Sequence, residues 1–415
     1  MLRKSSPSSN KSPPPTVSGK ERITKLRRVA LVLGARHNFW LDQRVQRTAQ
    51  ALASGGYDIL AYTPRESRGN ERPMPGVTAQ YVGSPGSSNK ILKKLLLDYL
   101  LYNIPAALDM KRKNIHICHC NDFDTLPCGV LLKLITLGRA KIVYDSHEDY
   151  PLFVEEGYGK FLGRLIGVTE AVLARLFVDR AITVNEAVKG KFERRGITTE
   201  VVFNCQELLD DITSEISLPI GDKKDEFWVA YQGNITRLRG YEQLIEAADV
   251  LVNTKKIQKV KFLVIGKSSP DVSYGEHIKK LISDKALQDY FLFTGFVSYD
   301  VMMKMLKRSD VGLILFQPTP NNLGGLPNKL FENLAAGIPT IASNFPEMGR
   351  IVTREQCGLL VDPTSPQEIA NAIEYLYNNR AIVSQMKQNA LSAAKEKYNF
   401  AKQAEKMLKL YGGIS

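Results

Sequence analysis

The chain of 415 residues lacks most features of secreted, disulfide-stabilised or membrane-spanning proteins. It has only five cysteines and no Cys-x-x-Cys pair, which is typical of a reducing compartment. No apolar run approaches the ~20 residues that cross a bilayer, and the N-terminus lacks the apolar core of a signal peptide. We therefore expect a cytoplasmic protein, with two domains of ordinary size.

Histidine is equally scarce, with five residues, and metal-ligand spacing is weak. His116, Cys118 and Cys120 would share one face of a strand, but buried strand side chains explain this alternation better than a metal site. Zinc-finger spacing and basic motifs studded with aromatic residues are also absent. We therefore expect neither a bound metal nor nucleic acid as a partner.

Positive charge is in excess, with a formal net charge of +13 that falls almost entirely in residues 1–205. Residues 1–27 are rich in Ser, Pro and Lys and too polar to form a core, which predicts a disordered basic tail. Residues 89–113 combine leucines at helical spacing with lysines. Such a helix either lies at an anionic membrane, on the inner face of the cell membrane, or packs on the core with its lysines in solvent.

Strand-like apolar runs alternate with helical patterns along both halves of the chain. In the first half, Asp42 is expected to cap a helix that ends at Ser54 before two glycines. Strands are predicted at residues 29–33, 58–62, 115–119, 141–144, 181–184 and 199–203, and then at 228–231, 261–265, 290–294, 311–315, 340–342 and 358–361. This alternation predicts an α/β fold with two Rossmann-like, doubly wound domains that face one cleft.

The domain boundaries follow from the breaks in this pattern. Residues 28–205 are predicted to be an N-terminal Rossmann-like domain, residues 206–225 a polar linker, and residues 226–397 a C-terminal Rossmann-like domain. Residues 398–415 hold a last amphipathic helix, at about 401–411, that could cross back to the first domain.

The segment LGGLPNKLFENLAAGIPTIA, residues 323–342, has the order of a phosphate-binding unit. Pro327 suits the first turn of a helix and Gly337 ends it, which predicts a helix over residues 328–336. Its free amides and dipole attract an anion. Lys329 adds positive charge, whereas Glu332 suits a ribose diol beside a diphosphate. The segment predicts a nucleotide-diphosphate ligand, and an ordinary strand–helix turn with a solvated Glu332 is the alternative.

A second loop followed by a helix, QGNITRLRGYEQLIEAADVL, begins after Tyr231. Arg239, beside Gly240, would lie where the helix amides point, and with Arg237 it could neutralise a diphosphate. Preorganised cations of this kind stabilise the charge that grows on a leaving diphosphate. Solvated loop arginines are the alternative.

These two segments carry a resemblance to a known family. GNITRLRGYEQLI resembles the G-R-L-x-x-x-K-G segment of glycosyltransferase family 4, and GLPNKLFENLAAGIPTIAS resembles its second signature. Five further segments agree in order within residues 29–379: DQRVQRTAQALASGGYDILAY, HCNDFDTLP, KIVYDSHEDYP, ITVNEAVKGKF and GLLVDPTSPQEIANAI. The resemblance implies the GT-B fold and a retaining, metal-independent hexosyltransferase. It would use a nucleotide-diphosphate sugar, UDP favoured over GDP, and a lipid-linked or polysaccharide acceptor in cell-surface polysaccharide or glycoconjugate biosynthesis.

The resemblance also implies that residues 28–205 bind the acceptor and residues 226–397 the nucleotide sugar, and it implies roles for particular residues. Glu332 would take the ribose, Lys329 and Arg239 the diphosphate, and His147, at the end of a predicted strand, would point at the transferred sugar. These four form the expected catalytic set. The other expected donor contacts are Gly233, Asn234, Arg237, Gly266, Gly295, Phe296, Val297, Gly325, Leu326, Pro327 and Asn328, and weaker candidates for acceptor or interdomain contacts are Asp42, Arg44 and Asp122.

The chain departs from the family pattern at three positions. Gly324 stands where a first glutamate is usual, Asn234 replaces an arginine, and Arg239 replaces a lysine. Two alternatives stay open, a nucleotide-sugar epimerase of the same fold and a non-catalytic pseudo-glycosyltransferase scaffold, and the change at Gly324 supports the second. A nicotinamide dehydrogenase is not favoured, because no GxGxxG follows the first predicted strand.

Overall fold

The computed structural model describes residues 27–35, 37–65, 74–84, 91–208, 223, 225–268 and 271–414. The tail predicted at residues 1–27 lies outside this range except for Arg27, and so does most of the linker predicted at residues 206–225. The described residues form two parallel sheets flanked by helices. The predicted α/β architecture is confirmed.

The first sheet has seven parallel strands in the order β3-β2-β1-β4-β5-β6-β7. They are β1 (Arg28–Val32), β2 (Asp58–Thr63), β3 (Val77–Tyr81), β4 (Ile117–Asn121), β5 (Lys141–Ser146), β6 (Arg180–Thr183) and β7 (Thr199–Val201). Strand β3 was not predicted, because it is a half-buried edge strand without an apolar run. Strand β4 lies two residues further along than predicted, since its end carries the polar residues His119 and Asn121, which are nevertheless buried.

Helices cover both faces of this sheet. They are α1 (Gln43–Ser54), α2 (Ile91–Asp98), α3 (Ile104–Arg112), α4 (Leu126–Ile135), α5 (Tyr150–Tyr158), α6 (Lys160–Phe177) and α7 (Glu186–Glu193). A π-helical turn, Tyr99–Asn103, joins α2 to α3. Asp42 caps α1 as predicted, since its carboxylate accepts a hydrogen bond from the Val45 amide at 3.1 Å.

The second sheet has six parallel strands in the order β10-β9-β8-β11-β12-β13. They are β8 (Phe227–Gln232), β9 (Val260–Ile265), β10 (Phe291–Phe293), β11 (Val311–Ile314), β12 (Thr340–Ser343) and β13 (Gly358–Val361). Its helices are α8 (Tyr241–Asp249), α9 (Val272–Asp284), α10 (Tyr299–Arg308), α11 (Pro320–Gly324), α12 (Asn328–Ala336), α13 (Pro346–Glu355), α14 (Pro366–Asn378) and α15 (Arg380–Glu396). In each sheet the strand order reverses beside the strand that starts the series, where ligands of such folds bind at the carboxyl ends.

The last helix, α16 (Phe400–Gly412), packs against α1 rather than against the second sheet. Its side chains Met407 and Tyr411 are buried in the core that covers one face of the first sheet. In the opposite direction, Cys205 packs into a core of the second half. The chain therefore crosses between the two halves twice.

Candidate active site

A cavity of about 500 Å³ opens between the carboxyl ends of the two sheets. This volume is typical of ligand pockets. The first half lines it with residues after β5 and β6, and the second half with the connection from β11 to α12. Its lining includes Asp42, Arg44, His147, Glu148, Asn185, Gly324, Gly325, Leu326, Pro327 and Asn328.

Hydrogen bonds join the two halves at the rim of this cleft. Asn185 Nδ2 donates to the Gly324 carbonyl at 2.9 Å, and the Asn321 amide donates to Glu156 Oε1 at 2.7 Å. Both bonds end on α11, the short helix that precedes α12. A change in the angle between the halves must therefore displace α11 or break these bonds.

Helix α12 has the bounds that the sequence predicts for the anion-binding helix. Pro327 takes the N-cap position with an extended backbone, and Gly337 closes the helix with a φ of 67°. Amides in the first turn of a helix have no partner inside it. Because Pro327 and Asn328 line the cleft, these amides and the positive end of the dipole lie at the cavity.

Lys329 and Arg239 converge on Gly233. A Cβ added to Gly233, whose φ is 105°, would lie 2.0 Å from Lys329 Nζ and 2.6 Å from Arg239 Nη1, so a side chain there would be strained and would displace both cations. Lys329 is buried and donates a hydrogen bond to the Gln232 carbonyl. Neither cation forms an ion pair with a described residue. The two cations therefore form a positive site that the charge of Glu332 offsets only in part.

The buried position of Lys329 changes its protonation. Burial, followed by the charge of Arg239, lowers the pKa of Lys329 to about 7. The sequence predicts a full positive charge on Lys329 in the first turn of α12. With this pKa, Lys329 is only partly charged near neutral pH. Arg239 is held by its surroundings, because its guanidinium lies 5.3 Å from the ring centre of Phe316 and its carbonyl accepts from Tyr231 Oη at 2.5 Å.

Glu332 lies one turn further along α12 and is half-buried. Its carboxylate accepts from Gln232 Nε2 at 3.1 Å, and the same amide nitrogen donates to Asn333 Oδ1 at 3.0 Å. Gln232 ends β8. The end of this strand therefore fixes both the Lys329 ammonium and the Glu332 carboxylate.

The other predicted donor-site loops follow the ends of β9 and β10. A Cβ on Gly266 would lie 2.2 Å from the Gly233 carbonyl oxygen, so the ends of β8 and β9 touch through bare backbone. Gly295 has a φ of 67°, and the following Phe296 is 80% exposed with Lys267 Nζ 5.8 Å from its ring centre. Val297 packs into the core beside α10.

Arg237 does not join Arg239 and Lys329. Its guanidinium lies 4.7 Å from the ring centre of Tyr274, and its Nε is 3.9 Å from Asp271 Oδ2. Asn234 is exposed on the same loop. The structure therefore brings Gly233, Arg239, Lys329 and Glu332 together and leaves Arg237 at the start of α9.

His147 follows β5 and faces the cleft from the first half. Its Nδ1 lies 3.2 Å from Asp122 Oδ2 and its Nε2 lies 3.4 Å from Asp145 Oδ2. Burial lowers the pKa of His147, but the two carboxylates outweigh burial and raise it overall. The imidazole is therefore more readily protonated than an ordinary histidine.

Asp145 lies buried beneath His147 and connects it to the last helix. Arg44 Nη2 approaches Asp145 Oδ1 at 2.8 Å, and His119 Nε2 lies 3.4 Å from Asp145 Oδ2. His119 Nδ1 is in turn 2.7 Å from Tyr411 Oη on α16. Burial raises the pKa of Asp145, but Arg44 and His147 outweigh it and hold the pKa well below its usual range. Arg44, predicted as an acceptor-side or interdomain contact, is engaged within the first half.

Among the described residues, no helix has the length and apolarity to cross a membrane, and no group of three or more His, Cys, Asp or Glu side chains could hold a metal ion. Cys118 and Cys120, whose spacing weakly indicated a metal, are buried in β4 with their sulfurs 3.7 Å apart.

Two family models match consecutive parts of the chain. The model for glycosyltransferase family 4 matches residues 42–205, and the model for glycosyl transferases group 1 matches residues 214–393. The chain belongs to the group 1 glycosyltransferases of the family 4 type. The second match includes the loops of Arg239 and Lys329.

Relatives of this glycosyltransferase are distant. An uncharacterized glycosyltransferase of Methanocaldococcus jannaschii is 21% identical over 295 residues, which cover 70% of this chain and 72% of the relative. The D-inositol 3-phosphate glycosyltransferase of Paenarthrobacter aurescens is 25% identical over 351 residues, 81% of this chain and 83% of the relative. The crystal structure of Anabaena HepE in complex with UDP superposes with a TM-score of 0.70 at 15% identity and covers 94% of this chain and 100% of that chain. This superposition shows that the glycosyltransferase has the GT-B fold.

Two residues of this glycosyltransferase were missed as site candidates. Asn185 comes directly after β6, where a polar residue at the carboxyl end of a strand could have been noticed. Tyr299 starts α10, and its buried hydroxyl has no hydrogen-bond partner among the described residues. Burial and then the charge of Glu332 raise the pKa of Tyr299. Its hydroxyl is therefore an unused polar group near the predicted ribose contact.

Proposed function

We propose that this glycosyltransferase moves a sugar from a nucleotide-diphosphate sugar, with UDP preferred, to a lipid-linked or polysaccharide acceptor with retention of anomeric configuration. The convergence of Lys329 and Arg239 on Gly233, beside the start of α12, carries the proposal. A buried lysine beside a half-buried arginine, with no ion-pair partner for either among the described residues, favours an anionic ligand. UDP in the Anabaena structure of the same fold supports the choice of nucleotide.

The site suits a diphosphate leaving group. Negative charge grows on the diphosphate oxygen as its bond to the sugar breaks, and fixed cations and amides stabilise that charge without reorganising. In this proposal Lys329 and Arg239 supply the positive charge, so that the reaction proceeds without a metal. The diphosphate also raises the lowered pKa of Lys329 and restores its full charge.

Glu332 and His147 hold the two ends of the donor in this proposal. Glu332 accepts hydrogen bonds from the ribose hydroxyls, and His147 contacts the transferred sugar from the opposite side of the cleft. Asp145 is buried and held by Arg44, so it is not free to attack the sugar. The acceptor oxygen instead bonds to the anomeric carbon on the face that the diphosphate leaves, and a diphosphate oxygen takes the acceptor proton.

The test uses the purified full chain with UDP- and GDP-sugars. Thermal stabilisation by a donor identifies the nucleotide, nucleotide release with a sugar or lipid-linked acceptor measures transfer, and NMR of the product gives the anomeric configuration. Transfer with retention that persists in EDTA supports the proposal. An inverted product, or turnover that Glu332→Ala and Arg239→Ala leave unchanged, contradicts it.

A non-catalytic scaffold is the second candidate, and Gly324 is the observation that favours it. No atom lies within 4 Å of a Cβ placed on Gly324, which lines the cleft, so a side chain could begin there without a clash, yet the chain has none. A scaffold would bind the donor without releasing nucleotide. If Gly324→Glu then produced turnover, the missing carboxylate would be the cause.

A further inference from the structure

The outer face of α6 is apolar although it is exposed. Large apolar side chains recur on it every three or four residues, which places them on one line along the helix: Phe161, Leu165, Val168, Val172 and Leu176. The opposite side of α6 is buried against the domain core through Leu162 and Ile166. The core therefore does not account for the outer stripe, and contiguous exposed apolar surface of this kind marks an interaction site.

The remaining exposed residues of α6 are all basic. They are Lys160, Arg164 and Arg175, and none of them forms an ion pair with a described residue. The only acidic residue of α6, Glu170, is buried and lies 3.0 Å from Lys191 Nζ. The exposed face therefore combines apolar side chains with uncompensated positive charge.

Other elements of the first half also expose apolar side chains. Helix α5 contributes exposed Phe153 and Tyr158, and α4, which packs against α6, contributes exposed Leu134. In residues 89–113, Leu96 and Leu100 are exposed as well. The sequence had placed the membrane candidate in that segment alone, whereas the longest exposed apolar stripe described lies on α6.

We propose that the outer face of α6 lies in the interface of an anionic lipid bilayer. An apolar stripe flanked by Lys and Arg is the pattern of helices that lie at such interfaces, and each basic residue near the surface adds to the attraction of anionic lipid. A second copy of the chain fits less well, because a twofold interface repeats the same patch on both sides and would place like charges together.

This inference rests on the proposed function and specifies where a lipid-linked acceptor arrives. Helix α5 begins three residues after His147, and Leu152 of α5 lines the cleft while Phe153 is exposed. A bilayer that covers α5 and α6 therefore lies beside the cleft. An acceptor held by its lipid would enter without leaving the membrane.

The test compares two valines with equal exposure. Val168 on α6 and Val272 on α9 are both 64% exposed, so Val168→Glu and Val272→Glu place the same charge on the two halves. Flotation of the full chain with phosphatidylcholine vesicles containing 30 mol% phosphatidylglycerol should show binding by the wild type and by Val272→Glu. Val168→Glu should bind about tenfold more weakly. Phosphatidylcholine vesicles alone should bind the wild type more weakly than the anionic vesicles.

Three outcomes overturn the inference. The first is a wild type that does not bind anionic vesicles, and the second is an equal loss of vesicle binding in the two valine variants. The third is a dimer in sedimentation velocity that Val168→Glu dissociates, which would assign the stripe to self-association. Stabilisation by UDP-glucose is measured on the same samples. Stabilisation of Val168→Glu by UDP-glucose shows that its donor site is intact. If UDP-glucose does not stabilise the wild type, the proposed function is contradicted, but the vesicle experiment still tests membrane binding.

Discussion

The two halves share one architecture but organise charge in opposite ways at the carboxyl ends of their strands. In the first half, Asp145 is surrounded by Arg44, His119 and His147, so that charge is largely balanced inside the protein. In the second half, Lys329 and Arg239 converge without a carboxylate partner among the described residues. The first arrangement holds His147 in position. The second leaves positive charge that an anionic ligand could neutralise.

The same contrast explains the lowered pKa of Lys329 and the raised pKa of His147. Both side chains are withdrawn from solvent, which disfavours their charged forms. Carboxylates reverse that effect for His147, whereas Arg239 reinforces it for Lys329. The negative charge of a bound diphosphate would raise the pKa of Lys329, as the carboxylates of Asp122 and Asp145 raise the pKa of His147.

The largest expected effect separates the two arginines of the donor loop. Arg239→Ala should lower kcat/KM by about 100- to 1,000-fold, as removal of a preorganised group that stabilises transition-state charge does. Arg237→Ala should lower it about threefold, because Arg237 packs on Tyr274 instead. Steady-state kinetics with the best donor measure both. Equal losses would mean that the loop rearranges around the donor.

His147→Asn should lower kcat by about 100-fold and leave the affinity for the donor nucleotide nearly unchanged, because the nucleotide contacts that we propose lie in the second half. Calorimetric titration with UDP and single-turnover kinetics separate these two quantities. A large loss of UDP affinity in this variant would show that the two halves do not divide the ligand as proposed.

Donor affinity should depend on pH through Lys329. With a pKa of about 7 in the free protein, raised again by the diphosphate, Lys329 takes up a proton on binding above pH 7. Affinity for UDP-glucose should therefore be highest below pH 7 and fall by up to about tenfold per pH unit above it. Calorimetry in two buffers of different ionisation enthalpy counts the protons. Lys329→Met should bind weakly at every pH and show no proton uptake.

The smallest effect is expected at Tyr411, which contacts His119 at the far end of the side-chain network around Asp145. It concerns stability more than activity. Tyr411→Phe removes the hydroxyl that lies 2.7 Å from His119 Nδ1, and an unsatisfied buried group should reduce the free energy of unfolding by about 1–3 kcal/mol. Urea unfolding measures this change. Tyr57→Phe is the control, since the ring of Tyr57 packs edge-on against that of Tyr411. Equal losses would show that the hydroxyl of Tyr411 does not matter.

Both ends of α12 could be predicted from the sequence without error, because Pro327 and Gly337 impose backbone angles there. The lowered pKa of Lys329 was not predictable in this way. It requires Arg239 and Gly233, which approach only after β8 and α12 are packed together. The same holds for His119 and Tyr411, which lie 292 residues apart in the chain. Sequence periodicity identifies faces of elements, whereas such pairs depend on how the elements pack.

The return of α16 to the first sheet has a consequence for biosynthesis. A ribosome releases the N-terminal half first, and domains generally fold as they emerge. Here Met407, Leu410 and Tyr411 fill part of the core of that half, and they are made only after the whole second half. The apolar surface that they cover must stay open to solvent or to a chaperone until α16 has been made, so that chains stalled or terminated before α16 would be prone to aggregate even though they carry the whole first sheet.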